Sequence, residues 1–148
     1  KTHPWRPIVS SGEDRLAMLK LLETETIRVN DVDLKRKSKT YTIDTVKELQ
    51  GQFPYTFYWI CGIDQIKDLP QWEGFAELQE RIKFLVIPRK GYDKNIALPK
   101  NCILLSKNYD PTDLSSSEIR DKIRKGLPVG GLVPEKVEEY IREKGLYK

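Results

Sequence analysis

The sequence predicts an α/β domain with a mostly parallel sheet flanked by helices. Three continuous apolar segments, 56–61, 84–87 and 102–105, have the composition of strands that are covered on both faces. Helical segments with apolar stripes alternate with them, and this alternation is typical of parallel sheets, whose crossovers need helices. A shorter strand is expected at 27–34. We expect residues 1–148 to form a single domain, because this length allows one core of ordinary size.

Capping residues predict where the helices of the first two thirds begin and end. Two serines precede a helix expected near 12–23, and an acidic pair follows them at capping-box spacing. Thr42 is expected to cap a helix that ends at Gly51. Short helices are expected at 64–69 and 74–80, between the strands at 56–61 and 84–87.

The C-terminal part has the clearest helical pattern. Ser115 and Glu118 have the capping-box spacing, and Gly126 is expected to end the helix that they start. Pro134 fits the first turn of a last helix, which is expected to end at Gly145.

Composition narrows the class of protein. Hydrophobic residues make up 39% and charged residues 32%, a mix typical of a globular chain. No apolar stretch approaches the roughly 20 residues of a membrane-crossing helix, and no secretory leader is visible. Cys61 and Cys102 are too few for a disulfide framework, and no Cys/His cluster has metal-ligand spacing. We therefore expect a cytoplasmic protein with both thiols in its core and no metal site built from protein groups.

A phosphate site is the first functional hypothesis. Ligands bind beyond the carboxyl ends of parallel strands, where helix N-termini offer free amides to anions. Ser115, Ser116 and Ser117 place three hydroxyls at such a start, and Arg120 adds a guanidinium that suits phosphate oxygens. The net charge of +4 suits a small anion as well as nucleic acid. The alternative is a capped surface helix whose arginine is solvated.

A ribose site is the second hypothesis. Gly62 directly follows the first apolar strand, so a ligand could approach the backbone there. Asp64 could accept hydrogen bonds from ribose hydroxyls, as acidic residues do in other nucleotide folds. The alternative role of Asp64 is to cap the next helix.

An aromatic-ring site is the third hypothesis. Trp72 follows Pro70 and Gln71 in a polar stretch, outside any apolar stripe. An indole there could stack on a pyridinium ring and gain a cation–π interaction of roughly 1–2 kcal/mol. The alternative is a tryptophan packed on the rim of the core. Thr42 is a second candidate for this site, with helix capping as its alternative.

These motifs together resemble the bacterial nicotinate-nucleotide adenylyltransferase family, which joins nicotinate mononucleotide to AMP from ATP. The resemblance runs through nearly the whole chain, in order and at suitable spacing. The matching segments are 33–36 (ELKR in the family), 40–45 (SYTIDT), 60–64 (IIGxD), 69–72 (LPxW), 114–120 (ISSTEIR), and 132–134 with 145–147 (LVPxxVxxYIxxxGLY).

The resemblance implies a Rossmann-like nucleotidyltransferase fold and an ATP site. By resemblance, Ser115, Ser117 and Arg120 hold the ATP phosphates, with Arg120 as the catalytic cation. Gly62 and Asp64 line the adenylyl or ribose region. Mg²⁺ is the implied cofactor, and because no protein cage is visible we expect the ATP phosphates to hold most of it.

The second implied substrate is nicotinate mononucleotide. By resemblance, Trp72 stacks on its nicotinate ring and Thr42 helps to bind the ring carboxylate. Glu73 stands where family members often carry an aromatic residue, which leaves the shape of this pocket open. ATP and nicotinate mononucleotide are thus the expected partners, with no nucleic acid and no membrane, and with a homo-oligomer left open.

One family motif is absent. Family members begin with a strand and a turn of the form GGxFxPxHxGH, whose two histidines stabilise the ATP phosphates. No such motif occurs here, and His3, the one histidine, lies in what resembles a later loop. We therefore expect this chain to be the C-terminal three-quarters of the family domain, lacking its first strands, with a longer natural protein.

The implied reaction is in-line attack by the phosphate of nicotinate mononucleotide on the α-phosphorus of ATP, which releases pyrophosphate. Two alternatives stay open at this point. One is an adenylyltransferase for nicotinamide mononucleotide or another phosphorylated acceptor. The other is a non-catalytic relative that binds nucleotide or RNA, although the basic residues are scattered and no aromatic RNA-binding signature appears.

Overall fold

The computed structural model describes residues 10–89, 91, 96–105 and 114–148. His3 lies outside the described residues. Contacts between residues group the chain into two compact units. We call Thr40–Asp113 the sheet unit, and Lys1–Lys39 with Leu114–Lys148 the terminal unit.

The described elements follow the predicted α/β order, except that the segment 27–34 contains no strand. The helices are α1 Gly12–Lys20, α2 Val32–Lys35, α3 Thr42–Gln52, α4 Phe75–Arg81, α5 Ser116–Arg124 and α6 Glu135–Glu143. The strands are β1 Tyr58–Gly62, β2 Lys83–Ile87 and β3 Cys102–Leu104. Two short 3-10 turns, Ile63–Gln65 and Leu69–Gln71, connect β1 to α4. Within the described ranges, no helix is both long enough and apolar enough to span a bilayer.

The sheet is parallel, with the strand order β1-β2-β3, which confirms the predicted α/β class. Pairing of β1 with β2 runs from Tyr58 opposite Lys83 to Gly62 opposite Ile87. Both strands therefore end at the same level, and the residues that follow Gly62 and Ile87 emerge side by side at the carboxyl edge of the sheet.

One face of the sheet packs on α3 and α4 to form the core of the sheet unit. Phe84 and Val86 of β2 are fully buried there, together with Leu78 of α4. Ile63 and Leu69, from the two 3-10 turns, are also fully buried. The chain after β1 is thus anchored by its apolar residues, which leaves its polar residues near the strand end.

Polar contacts join α3 to α4 on the outer side of this core. Lys47 Nζ lies 2.8 Å from Glu77 Oε2, and Arg81 Nη1 donates to Gln50 Oε1 at 3.1 Å. Gln50 Nε2 in turn donates to the Arg81 carbonyl at 3.3 Å. These bonds fix the two helices relative to each other.

The opposite face of the sheet is more open than the sequence predicts. Ile60 is 61% exposed and Tyr58 is 49% exposed, and Ile103 of β3 is exposed as well. The expectation that β1 is covered on both faces is therefore wrong for the described part of the chain. Apolar composition shows that burial is favourable, but the elements that pack on a face decide whether burial happens.

The terminal unit is built from helices. Ser11 caps α1 by accepting a hydrogen bond from the Asp14 amide at 2.9 Å. In α6, Val137 and Ile141 are buried. The chain after α6 turns back, because the Leu146 amide donates to the Ile141 carbonyl at 3.0 Å.

Four local predictions are corrected here. Residues 27–34 form no strand; Asn30 Oδ1 accepts from the Val32 amide at 2.9 Å, and this side-chain bond favours a helical turn over extended pairing. The first helix ends at Lys20 instead of near residue 23. Thr42 is the first residue of α3, whose cap position is taken by Tyr41. Cys102 is half-buried, so only one of the two thiols lies fully in the core.

Candidate active site

The carboxyl edge of the sheet unit holds an ion pair between the ends of two neighbouring strands. Arg89 Nη1 donates to Asp64 Oδ2 at 3.0 Å. Each residue lies two positions past the end of its strand, since Gly62 and Ile87 are the last paired residues. The register of β1 and β2 therefore brings these side chains together. The Asp64 side chain is 26% exposed and that of Arg89 is 48% exposed, so the pair faces solvent.

Gly62 makes room for the Asp64 carboxylate. Its backbone has φ −76° and ψ 152°, a conformation that any residue adopts. A Cβ at this position would overlap Asp64 Oδ1 and would lie 3.8 Å from Arg89 Nε. The sequence hypothesis placed a ligand close to the Gly62 backbone; in the structure the Asp64 carboxylate itself takes the space of the missing side chain.

Asp64 does not cap a helix, which was its alternative role. The cap position of the 3-10 turn Ile63–Gln65 is Gly62, and no side chain bonds the turn's first amides there. The carboxylate bonds Arg89 instead. Asp64 is thus a hydrogen-bond acceptor just past the end of β1, and its role toward ribose stays a prediction.

Sequence reasoning missed Arg89. The signal was present, because Pro88 and Arg89 directly follow a buried strand, as Gly62 does. A basic residue past one strand becomes informative only when the neighbouring strand, and the register between the two, are known. The partner of Asp64 therefore lies 25 residues away in the chain and could not be chosen from spacing.

The loop with Trp72 lies against the first turn of α3, which carries Thr42. Gly74 has φ +67°, and a Cβ added to it would lie 3.1 Å from Ile43 Cγ1. Ile43 is the neighbour of Thr42 in α3, so the structure brings the start of α3 and the loop after Trp72 into contact. Thr42 is half-buried at the N-terminal end of the helix. This contact joins Gly74 and Ile43, and a site shared by Thr42 and Trp72 stays a prediction.

Trp72 packs on the rim of the core. Its ring meets Trp59 edge-on at 6.2 Å between centroids and Phe84 at 6.4 Å. The indole is half-buried, so part of it stays accessible. The structure agrees with the packing alternative, and the accessible part leaves stacking on a ligand ring as a prediction.

The start of α5 belongs to the terminal unit and forms the predicted capping box. The Glu118 amide donates to Ser115 Oγ at 3.1 Å, and Glu118 Oε2 accepts from the Ser115 amide at 3.1 Å. Arg120 Nη2 donates to Ser117 Oγ at 3.2 Å. The capping box occupies the polar groups of Ser115, whereas the amides of Ser116 and Ser117 lie in the first turn, where no intrahelical acceptor exists.

Cys61 lies near the carboxyl edge of the sheet, one residue before the end of β1, but it is poorly suited to act as a nucleophile. Burial raises the pKa of its thiol to about 11, with smaller contributions from Cys102 and Asp64. The thiolate, which is the reactive form, is therefore scarce at neutral pH. In the described ranges, no group of three or more His, Cys, Asp or Glu side chains is arranged to hold a metal ion.

Sequence comparison identifies a family model and named relatives that are similar to this chain. The cytidylyltransferase-like family matches residues 1–122. A protein of Halalkalibacterium halodurans named "Probable nicotinate-nucleotide adenylyltransferase" is 37% identical over 99% of this chain and 72% of its own length. A protein of Dehalococcoides mccartyi with the same name is 36% identical over 94% of this chain and 74% of its own.

Solved structures give the same match. Plasmodium falciparum nicotinic acid mononucleotide adenylyltransferase, complexed with NaAD, superposes with a TM-score of 0.70 and 25% identity over 93% of this chain and 75% of its own. The same enzyme complexed with APC superposes with a TM-score of 0.58 and 27% identity, covering 75% of this chain and 60% of that one.

Proposed function

This chain belongs to the nicotinate-nucleotide adenylyltransferase family, a nucleotidyltransferase family of NAD biosynthesis, and on that premise we propose which residues hold its substrates. The reaction transfers the adenylyl group of ATP to nicotinate mononucleotide and yields deamido-NAD and pyrophosphate. The observation that carries the assignment is the Asp64 carboxylate held at the carboxyl edge of the sheet, where nucleotides bind in folds of this class.

The reaction requires the protein mainly to position the two substrates and to supply positive charge near the triphosphate. A phosphate oxygen of nicotinate mononucleotide forms a bond to the α-phosphorus of ATP. The bond from that phosphorus to the bridging oxygen of the β-phosphate breaks, and pyrophosphate leaves with the electron pair. Because the nucleophile is already an anion, no general base is required. Charge that develops on the triphosphate must be stabilised by positive groups.

The start of α5 is our proposed triphosphate site. Amides in the first turn and the helix dipole attract phosphate oxygens. Ser115 supports this site through its capping box, which fixes the direction of the first turn. Ser117 and Arg120, already joined at 3.2 Å, present a hydroxyl and a guanidinium together. A guanidinium can bond two phosphate oxygens at once, which suits Arg120 to a catalytic role.

Asp64 and Gly62 are our proposed ribose site. The carboxylate oxygens accept hydrogen bonds, and ribose hydroxyls donate them. Gly62 contributes by leaving space for the Asp64 carboxylate. The assignment is supported by the position of both residues at the end of β1 and by the exposed part of the Asp64 side chain.

Trp72 and Thr42 are our proposed site for the nicotinate ring. An indole face attracts a pyridinium cation. The Thr42 hydroxyl, at the positive end of α3, suits the ring carboxylate. The contact of Gly74 with Ile43 supports the assignment because it holds the two chain segments together.

Mg²⁺ belongs to the substrate in this proposal. Enzymes of this kind commonly use a divalent metal, and Mg²⁺ prefers phosphate oxygens and water to a complete protein cage. We therefore write the nucleotide substrate as MgATP and assign no protein ligand to the metal.

Activity of an Arg120 variant tests the proposal. In the complete enzyme, Arg120→Ala should lower turnover about 100-fold or more, because a charge-assisted contact to the reacting phosphates is lost. Arg124→Ala is the matched control: it removes an arginine from the same helix, where it pairs with Asp121 at 3.2 Å. Turnover is measured with MgATP and with either nicotinate or nicotinamide mononucleotide as acceptor. Unchanged turnover in Arg120→Ala would remove Arg120 from the mechanism, and preference for nicotinamide mononucleotide would change the assigned acceptor.

A further inference from the structure

In the Asp64–Arg89 pair, both oxygens of the carboxylate have defined positions, which an ordinary surface ion pair does not require. Arg89 Nη1 bonds Oδ2 of the carboxylate. The other oxygen, Oδ1, lies where the side chain of residue 62 would be, so the absence of a Cβ at Gly62 is required for this orientation. Two neighbouring strands thus cooperate to place one carboxylate.

Stability alone accounts poorly for this arrangement. Arg89 is about half exposed, and ion pairs at such positions contribute little to folding. An unrestrained aspartate at a strand end samples several rotamers. A guanidinium that binds one oxygen removes that freedom, and preorganisation of this kind increases affinity without adding a contact to the ligand.

We propose that Arg89 is a positioning residue, which holds the Asp64 carboxylate by Oδ2 and so presents Oδ1 to a ribose hydroxyl of the nucleotide. This inference rests on the proposed ribose site. Arg89 itself does not contact the ribose in this proposal. Lysine would be a partial substitute, because it keeps the charge but lacks the planar guanidinium that fixes a carboxylate.

Discrimination between ATP and its deoxy analogues tests the proposal. The probes are MgATP, 2′-deoxy-ATP and 3′-deoxy-ATP, and dissociation constants are measured by calorimetry. The unaltered protein should prefer ATP about tenfold over the analogue that lacks the contacted hydroxyl. We define the discrimination ratio as the dissociation constant of that analogue divided by that of ATP. Asp64→Asn should reduce this ratio to near one. Arg89→Met should reduce it to about threefold, and Arg89→Lys should give a value between those of Arg89→Met and the unaltered protein.

Two controls separate positioning from folding. Lys100→Met breaks another exposed ion pair of the sheet unit, with Glu80 at 3.0 Å, but at the amino edge of the sheet; its ratio should be unchanged. The double variant that combines Asp64→Asn with Arg89→Met should prefer ATP no less than Asp64→Asn alone, because the two residues act as one unit. Circular dichroism and the thermal midpoint of each variant confirm that it is folded.

The outcomes distinguish this inference from the proposed function. An unchanged ratio in Arg89→Met, with a reduced ratio in Asp64→Asn, overturns the positioning role and leaves the ribose site standing. Equal weakening of all three nucleotides in Arg89→Met, matched by weaker binding of inorganic triphosphate, would make Arg89 a phosphate ligand and would also overturn it. An unchanged ratio in Asp64→Asn refutes the ribose site itself, and product formation then decides separately whether the proposed reaction stands.

Discussion

The hydroxyl of Tyr140 donates a hydrogen bond to Asp14 Oδ1 at 2.9 Å and so joins α6 to α1 within the terminal unit. Ser11 Oγ donates to the other oxygen, Oδ2, at 2.6 Å. Together these bonds lower the pKa of Asp14, with Ser11 contributing most and Tyr140 next. The same contact raises the pKa of Tyr140, because the phenolate would face the carboxylate. The Asp14 carboxylate therefore binds both the capping residue of α1, Ser11, and a residue of α6, Tyr140.

The first prediction concerns pH. A depressed Asp14 pKa contributes stability that is present above its ordinary value of 3.8 and is lost as pH falls below that value. A raised Tyr140 pKa contributes stability that is present below its ordinary value of 10.0 and is lost as pH rises past it. Tyr140→Phe should therefore lower the urea midpoint at pH 7, and the difference from the unaltered protein should shrink near pH 3 and above pH 10.

Urea titrations at the three pH values check this expectation. Tyr55→Phe is the control, since Tyr55 is 69% exposed and lies in the other unit. A difference between Tyr140→Phe and the unaltered protein that stays the same from pH 3 to pH 7 would contradict the role of the Asp14 contact.

A second prediction separates two roles of Trp72. Trp72→Ala removes the ring contacts with Trp59 and Phe84, and we expect it to lower the free energy of unfolding by roughly 2–3 kcal/mol, because the side chain is only half-buried. Trp72→Leu keeps apolar bulk but has no π face. It should bind nicotinate mononucleotide about tenfold more weakly, with little change for ATP. Titration calorimetry with each substrate measures this, and equal losses for both substrates would argue against stacking.

A third prediction uses two glycines of the sheet unit. Gly62→Ala should weaken ATP binding several-fold, because the new Cβ displaces Asp64 Oδ1, and should change stability by less than about 1 kcal/mol. Gly51→Ala is the matched change in α3, where nothing lies within 4 Å of the new Cβ. It should raise stability by roughly 0.5–1 kcal/mol and leave binding unchanged. Unaltered ATP affinity in Gly62→Ala would show that the carboxylate position does not matter.

A fourth prediction compares two glycines with the same backbone conformation. Gly74 and Gly126 both have φ +67°, so alanine at either position costs about 1–2 kcal/mol in backbone strain. At Gly126 nothing lies within 4 Å of the added Cβ, whereas at Gly74 it would lie 3.1 Å from Ile43. Gly74→Ala should therefore be the more destabilising by about a further 1–2 kcal/mol. Chemical denaturation measures both, and equal losses would mean that Ile43 moves aside without cost.

Local features were predicted well because their physics is local. The capping box at Ser115 and Glu118 joins residues three positions apart, so the letters alone specify it. The parallel strands follow from runs of apolar residues between helices. The predicted strand at 27–34 was wrong because Asn30 bonds the Val32 amide and starts a turn, a competition that apolar patterning does not reveal.

The sequence by itself determined the class of fold, the three apolar segments that form the parallel strands and the choice of Asp64 as a candidate at a strand end. Only the tertiary structure decided that Arg89 holds this carboxylate and that Ile60 stays exposed. The physical reason is the same in both cases. Composition gives each segment its preference for burial or charge, but contacts between distant segments depend on strand register and on which elements pack together.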